Sequence, residues 1–192
     1  YEIASCLVGS EMCIRDRMYP AHDAQPIENA ADGTDVAVIC DVTAFHAEGG
    51  GQLGDIGTIT APTGVIAVNV TKKLPDGAVI MIGSVTEGTV AVGDAVTFAV
   101  DKARKMDIAR NHTATHLLHA ALKQVLGAHV NQAGSYVGPD RLRFDFSHFS
   151  QVTAEELKKV EAIVNEQVLA GKAVNIEELP IEEAKKLSLI HI

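Results

Sequence analysis

The pattern of apolar residues changes once along the chain, at Asp101, and this change limits the folds that the chain can adopt. Up to Val100 the sequence consists of short β-branched runs separated by turn sequences rich in Gly, Pro and Asp. Five of these runs read VAVICDV, GTIT, GVIAVNV, AVIMIGSV and AVTFAV, with LPDG and TEGTVAVGD among the turns. Short strands broken by turn residues predict a small all-β barrel or sandwich.

After Asp101 the apolar residues recur at helical spacing. Residues 101–127 carry Ile108, Leu118 and Leu122 on one stripe and end at Gly127, which predicts one long helix. Because the periodicity switches from strand to helix here, we predict a domain boundary near Val100.

The rest of the sequence predicts an α+β unit. Candidate strands at 134–137 and 142–146 precede the capping box TAEE at 153–156, which predicts a second helix that ends at Gly171. A last short strand at 174–179 and a helical turn from Ile181 follow. We therefore predict an α+β fold: a small antiparallel β-barrel over residues 18–101, followed by a two-layer α+β domain over residues 102–187.

The two ends of the sequence look unlike the rest. Residues 1–17, YEIASCLVGSEMCIRDR, resemble a translated sequencing adapter, and SLIHI at 188–192 resembles the same kind of sequence. We interpret both as non-native tails and keep them out of fold reasoning. On this interpretation the biological segment runs from about residue 18 to residue 187, cut at both ends by sequencing. The three cysteines of the whole sequence, two of them in residues 1–17, form neither a disulfide framework nor a zinc-knuckle spacing.

Composition excludes several classes of function. A net charge of −9 argues against broad nonspecific nucleic-acid binding, which depends on Lys and Arg. We therefore expect no DNA partner, although a local basic rim is compatible with this net charge. No apolar run reaches the roughly 18 residues of a membrane span, and no signal-peptide pattern opens the sequence. We therefore expect a cytoplasmic protein without a membrane partner.

His112 and His116 are four residues apart in the first predicted helix, so their imidazoles lie on one face. A pair at this spacing can bind a metal ion, and it can also be two ordinary polar residues on a half-exposed helix. A zinc site needs about four ligands, so the pair would supply half of one. His119, between Leu118 and Ala120, is expected to pack or hydrogen-bond near the core.

Three consecutive glycines at 49–51, within FHAEGGGQLGD, predict a loop that needs positive φ or lets another molecule approach its backbone closely. A wide hairpin turn explains them equally well. Gln52 follows directly; its amide can offer a donor and an acceptor to a polar substrate, or it can be solvated.

Arg141, Arg143 and Asp145 alternate with apolar residues in RLRFDF, which predicts that the three share one face of a strand. Basic residues beside a metal pocket could hold phosphate or ribose. Surface ion pairing explains them as simply.

Taken together, FHAEGGGQLGDIG and ARNHTATHLLHAALKQVLGAHVNQAGSYVGPDRLRFDFSH resemble the editing region of alanyl-tRNA synthetases, over nearly all of residues 19–186. The resemblance implies a β-barrel followed by an α+β editing domain, which free-standing trans-editing proteins share. It also implies a zinc-dependent hydrolase, an aminoacyl-tRNA deacylase that cleaves the ester joining serine or glycine wrongly to tRNA(Ala).

The resemblance further implies roles for individual residues. His112 and His116 would bind zinc together with a later Cys-x-x-x-His pair, while Gln52 would face the aminoacyl group and Thr43 would help recognise serine. No Cys follows Cys40, so this chain lacks that second pair, and the spacings of the three other candidate histidines do not replace it: His129, His148 and His191.

The aminoacylation part of the family, which binds ATP and alanine, would lie upstream of this chain. No phosphate-binding loop occurs in these residues. We therefore expect no amino-acid activation, and we expect the isolated chain to be inactive.

Three other interpretations stay open. A free-standing editing protein would begin near the β-barrel, with Met18 as a true start. A noncatalytic module that grips the acceptor end of tRNA would bind in a salt-sensitive manner, with neither a metal requirement nor turnover. The editing domain of threonyl-tRNA synthetase has a similar histidine pair, although the glycine loop and RNHTATHLLHAAL fit the alanine enzyme better.

Overall fold

The computed structural model describes residues 12–21 and 25–172. The first part of the described chain, called the β unit here, contains seven strands: β1 Met12–Pro20, β2 Asn29–Ala31, β3 Asp35–Cys40, β4 Gly57–Thr60, β5 Gly64–Lys73, β6 Val79–Ala91 and β7 Ala95–Val100. The second part, called the α+β unit, contains two helices and two strands: α1 Lys102–Leu126, β8 Gln132–Val137, β9 Leu142–Phe146 and α2 Ala154–Leu169.

The strands of the β unit form one seven-stranded sheet in the order β2-β6-β3-β1-β7-β4-β5, and β5 also pairs with β6. Every pairing in it is antiparallel. Side chains alternate between buried and more exposed positions through Ile66 and Val68 of β5, because successive residues of a strand face opposite sides of the sheet. The predicted α+β class and antiparallel sheet are confirmed, whereas closure into a barrel stays a prediction.

The core of the β unit also anchors the start of the glycine loop. Phe45 is almost fully buried and packs its ring edge-to-face against Phe98 of β7, with ring centroids 5.7 Å apart. Burying a phenylalanine contributes about 1.5–3 kcal/mol. The loop that begins at this residue is therefore held to the sheet at its first position.

Two parts of the sheet differ from the sequence prediction. The segment TEGTVAVGD was predicted as a turn, but β6 continues through it to Ala91. At Gly88 the backbone has a φ of 66°, and the strand partner changes there from β5 to β2. The glycine thus permits a bend within one long strand, which composition alone could not distinguish from a turn.

β1 begins at Met12 and so includes residues that we interpreted as a non-native tail. It pairs with β3 through Met18, which faces Val38, and with β7 through Met12 and Cys13. Residue 17 is therefore not a structural boundary, while the origin of the tail stays a prediction.

Both helices begin where the sequence predicts. The Asp101 side chain caps α1 by accepting from the backbone N–H of Arg104 at 3.0 Å. In α2 the capping box is complete, because Thr153 Oγ1 accepts from the Glu156 N–H and Glu156 accepts from the Thr153 N–H. Neither of these two helices has the length and apolar content of a membrane span.

A second apolar core holds the α+β unit together. α1 packs against α2 and against the β8–β9 hairpin, around a cluster that comprises Ala121, Leu122, Val130 and Val160 with Phe144 and Phe146 beside it. The predicted strand at 174–179 and the turn from Ile181 lie outside the described residues.

Candidate functional site

The glycine loop crosses from the β unit to the α+β unit and lies beside β8. Gln52 forms a parallel bridge with Val137, whose N–H donates to the Gly51 carbonyl at 2.8 Å and whose carbonyl accepts from Leu53 at 3.0 Å. The Ser135 hydroxyl donates to the Gly50 carbonyl at 3.0 Å. The loop is thus hydrogen-bonded to the β8 edge of the hairpin.

This arrangement explains why the loop contains glycine. Gly51 has a φ of 82°, and a Cβ atom there would collide with the carbonyl oxygen of Ser135. Only glycine adopts this positive φ without strain and also leaves room for the carbonyl oxygen of Ser135. The close approach that the three glycines predicted is therefore made by β8 of the same chain.

A buried ion pair fastens the other end of the loop to α1. Asp55 is 2% exposed and accepts from Lys105 Nζ at 2.6 Å and from the His46 N–H at 2.8 Å. Arg104 Nη1 donates to the Gly54 carbonyl at 2.8 Å. Because removing one partner of a buried pair leaves an uncompensated charge, these contacts strongly define where the loop meets the helix.

The structure brings together Gln52 and His112, two candidate site residues that lie 60 positions apart in the sequence. Gln52 is 6% exposed, and its Oε1 lies 2.6 Å from Nδ1 of His112. Buried polar atoms are normally hydrogen-bonded, so this contact accounts for the inward orientation of the amide carbonyl.

His112 and His116 lie on the same face of α1, as their spacing predicted. Their rings are stacked, with centroids 5.0 Å apart and planes 24° apart. Burial, with smaller contributions from His116 and His46, lowers the pKa of His112 from 6.5 to about 4. Burial and then His119 lower the pKa of His116. Both imidazoles are therefore neutral at pH 7, the form that binds metal ions.

Further metal ligands are not gathered around this pair in the part of the chain that the structure describes. Over residues 12–21 and 25–172 no group of three or more His, Cys, Asp or Glu side chains could hold a metal ion. His129 and His148 instead bond to each other, with 2.8 Å between Nε2 and Nδ1. His191 lies outside the described residues.

Thr43 lies in the β unit, and its hydroxyl is engaged there. It donates to the Met81 sulfur at 3.2 Å and accepts from the Phe45 N–H at 3.1 Å. Its predicted role in recognising serine stays a prediction. His119 packs its ring 5.0 Å from that of Phe144, as expected of a residue near the core.

The basic residues of the hairpin behave differently from one another. Arg143 forms an ion pair with Asp145 at 3.1 Å, the surface pairing that the alternation allowed. Arg141 instead lies over the ring of Tyr136, with its guanidinium carbon 5.7 Å from the centroid. Asn111, next to His112, donates to the Gly138 carbonyl at 2.8 Å, which joins the turn before Arg141 to the histidine helix.

Sequence reasoning did not select three residues that the structure places at this junction: His46, Asp55 and Lys105. His46 and Asp55 lie inside the glycine-loop motif itself, so the motif carried a signal for them. Lys105 is 50 residues from its partner and has no local signal.

Comparison with known proteins gives first a class and then a family. Residues 14–104 match the family described as tRNA synthetases class II (A). The chain is 52% identical over 170 residues to the alanine–tRNA ligase of Acetivibrio thermocellus, an alignment that covers 88% of this chain and 19% of that protein.

Two further alanine–tRNA ligases match over similar lengths. That of Listeria innocua is 51% identical over 174 residues, covering 91% of this chain and 20% of the relative. That of Geobacillus thermodenitrificans is 50% identical over 165 residues, covering 86% of this chain and 19% of the relative. The chain belongs to the alanyl-tRNA synthetase family, and it spans about one fifth of the length of the relatives that it matches.

Proposed function

We propose that this chain forms the editing region of an alanine–tRNA ligase and acts in the zinc-dependent hydrolysis of seryl and glycyl esters of tRNA(Ala). The observation that carries the proposal is the 2.6 Å contact between Gln52 and His112, which unites the two motifs of the family resemblance in one site. The identity of about half of the residues to alanine–tRNA ligases supports it.

Editing is chemically necessary for an enzyme that selects alanine. Serine differs from alanine by one hydroxyl, which an apolar pocket rejects only weakly, and a methyl difference is worth about 1–3 kcal/mol in binding. A second site that hydrolyses the wrong ester supplies the missing discrimination.

The two histidines fit a zinc ion as half of its ligand set. Their rings are stacked on one helix face and their pKa values are lowered, so neutral imidazole nitrogens are present together. His112 and His116 would hold the ion, and the family resemblance implies a Cys-x-x-x-His pair for the rest. Bound zinc supplies a Lewis acid that polarises a carbonyl or lowers the pKa of water.

Residues from both units of this chain would act on the ester. Gln52 faces the aminoacyl group from its fixed position beside β8. Thr43 would recognise the hydroxyl of serine, and its present bond to Met81 does not prevent this, because a thioether sulfur is a weak acceptor that a substrate hydroxyl can replace.

The tRNA partner follows from the same proposal. An acidic chain needs a local basic contact for the nucleotide backbone. Arg141 is exposed beside Tyr136, and it follows the turn that is bonded to Asn111, the neighbour of His112. The pairing of β5 with both β4 and β6 supports the further proposal that the β unit is a small barrel.

A noncatalytic module that binds the acceptor end of tRNA is the second candidate. It is favoured by the observation that the described residues gather two histidines and no larger group of metal ligands. This candidate shares the RNA contact and differs in having no turnover.

A chimeric ligase tests the proposal. Residues 18–187 replace the matching segment of the Acetivibrio thermocellus enzyme, and deacylation of seryl-tRNA(Ala) is measured with and without His112→Ala. We expect the chimera to deacylate and the variant to fail, while both still charge alanine. A chimera that charges alanine but deacylates no faster than its His112→Ala variant would overturn the proposal in favour of the noncatalytic module.

A further inference from the structure

The contact between Gln52 and His112 determines which nitrogen of the imidazole carries the proton. The Oε1 atom of an amide has lone pairs and no hydrogen, so it can only accept a hydrogen bond. Oε1 lies 2.6 Å from His112 Nδ1, and this contact is a hydrogen bond when the imidazole proton lies on Nδ1. A neutral imidazole has only one N–H, which leaves the lone pair on Nε2.

Gln52 is held firmly enough to impose this choice. Its backbone pairs with Val137 of β8, its side chain is buried, and the loop that follows it is fastened by the pair Asp55–Lys105. With the amide in the orientation that the structure shows, a proton on Nε2 instead would leave the Gln52 carbonyl and the bare Nδ1 of His112 facing each other as two acceptors.

His112 is held from the same hairpin. The neighbouring Asn111 donates to the carbonyls of Gly138 at 2.8 Å and Pro139 at 3.3 Å, directly after the strand that binds the glycine loop. Both partners are thus positioned by one rigid element. A hydrogen bond that orients a histidine from such a support is the usual arrangement behind a metal ligand.

We propose that Gln52 is a positioning residue, whose amide carbonyl holds His112 in the Nδ1-protonated tautomer and so makes Nε2 the atom that binds a divalent metal ion. The inference rests on the proposed function and deepens it, since it assigns the ligating atom. It also limits the contact of Gln52 with a substrate. With its carbonyl engaged, Gln52 has only the amide N–H groups left, and these recognise a carbonyl or hydroxyl oxygen of the aminoacyl group as donors.

The tautomer is measured directly on the full 192-residue chain by long-range proton–nitrogen NMR of the histidine rings. We compare the unmodified chain with Gln52→Met, which keeps the volume but removes the acceptor, and with Gln52→Glu, whose carboxylate accepts the same proton. Gln124→Met, at an exposed position of α1, is the matched control.

We expect His112 to be protonated on Nδ1 in the unmodified chain, in Gln52→Glu and in the control. Gln52→Met should move the proton to Nε2, the form that free imidazole prefers. Protonation on Nε2 in the unmodified chain, or an unchanged tautomer in a folded Gln52→Met variant, overturns the inference. Circular dichroism establishes that each variant is folded.

Metal binding then separates this inference from the proposed function. Titration with Co²⁺ should give an affinity about 10–100-fold weaker in Gln52→Met and unchanged in the control, the size of effect known for orienting partners of ligands. Absence of Co²⁺ binding in the unmodified chain would count against the proposed zinc site in this chain, while the NMR result would still decide the role of Gln52.

Discussion

Two histidine pairs with nearly the same ring geometry have different chemical environments. The rings of His112 and His116 are 5.0 Å apart at 24°, and those of His129 and His148 are 5.1 Å apart at 17°. In the second pair the nitrogens bond to each other at 2.8 Å, and Phe149 stacks on His129. In the first pair His112 bonds to Gln52 instead. The two pairs therefore differ in the partner of their ring nitrogens, which is another histidine in the second pair and the amide of the glycine loop in the first.

The largest effect is expected on the free energy of unfolding, when the ion pair that fastens the glycine loop beside His112 is removed. Asp55→Ala should lower the free energy of unfolding by about 3–5 kcal/mol, because Lys105 would be left without its partner in a mostly buried position. Asp145→Ala, which breaks the exposed ion pair with Arg143, should cost about 0–1 kcal/mol.

Urea denaturation measures both values. Histidine NMR of the folded Asp55→Ala variant should show altered His112 signals and unchanged His129 and His148 signals. Equal destabilisation by the two substitutions would show that the buried pair does not fasten the loop.

The next effect is expected on metal binding, which should distinguish the pair His112 and His116 from the pair His129 and His148. We expect His112→Gln to weaken Co²⁺ or Zn²⁺ binding at least about tenfold, since it removes one ligand of a site that has few. His148→Gln should leave binding unchanged, because His129 and His148 already satisfy each other. Isothermal titration calorimetry checks this, and a reversed order would assign the metal to the second pair.

RNA binding should distinguish the two arginines of the β8–β9 hairpin, Arg141 and Arg143. Arg141→Gln should reduce the salt dependence of binding to a hairpin that carries the tRNA(Ala) acceptor stem and CCA end by about one unit of slope, as expected for the loss of one phosphate contact. Arg143→Gln makes the same charge change at a residue already paired with Asp145 and should have little effect. Fluorescence anisotropy at several salt concentrations measures the slopes, and identical slopes for the two variants would remove Arg141 from the interface.

A further effect is expected on the pH dependence of stability. The pKa of His112 falls from 6.5 to about 4 on folding, so the unfolded chain binds a proton at this residue at a higher pH than the folded chain does. Stability should therefore decrease as the pH falls from about 6.5 toward 4, and the share due to His112 should level off below 4. His112→Gln should show a shallower decrease in urea midpoint over this interval; a parallel curve would contradict the lowered pKa.

Local signals in the sequence predicted the elements that carry the site. The change of periodicity at Asp101 and the capping box at Thr153 mark the starts of the two helices, and the four-residue spacing of His112 and His116 places both on one face. These signals act within one or two helical turns, which is why they can be read without knowing the rest of the fold. β6 was misjudged because glycine marks both a turn and a bent strand.

The sequence by itself determined the α+β class, the histidine pair and the glycine loop, since periodicity, capping and backbone freedom depend on neighbouring residues. Only the tertiary structure decided that the loop docks on β8, that Lys105 holds Asp55, and that the carbonyl of Gln52 meets His112. These contacts join residues 50 to 85 positions apart. They arise from the way two packed units meet, which no local pattern encodes.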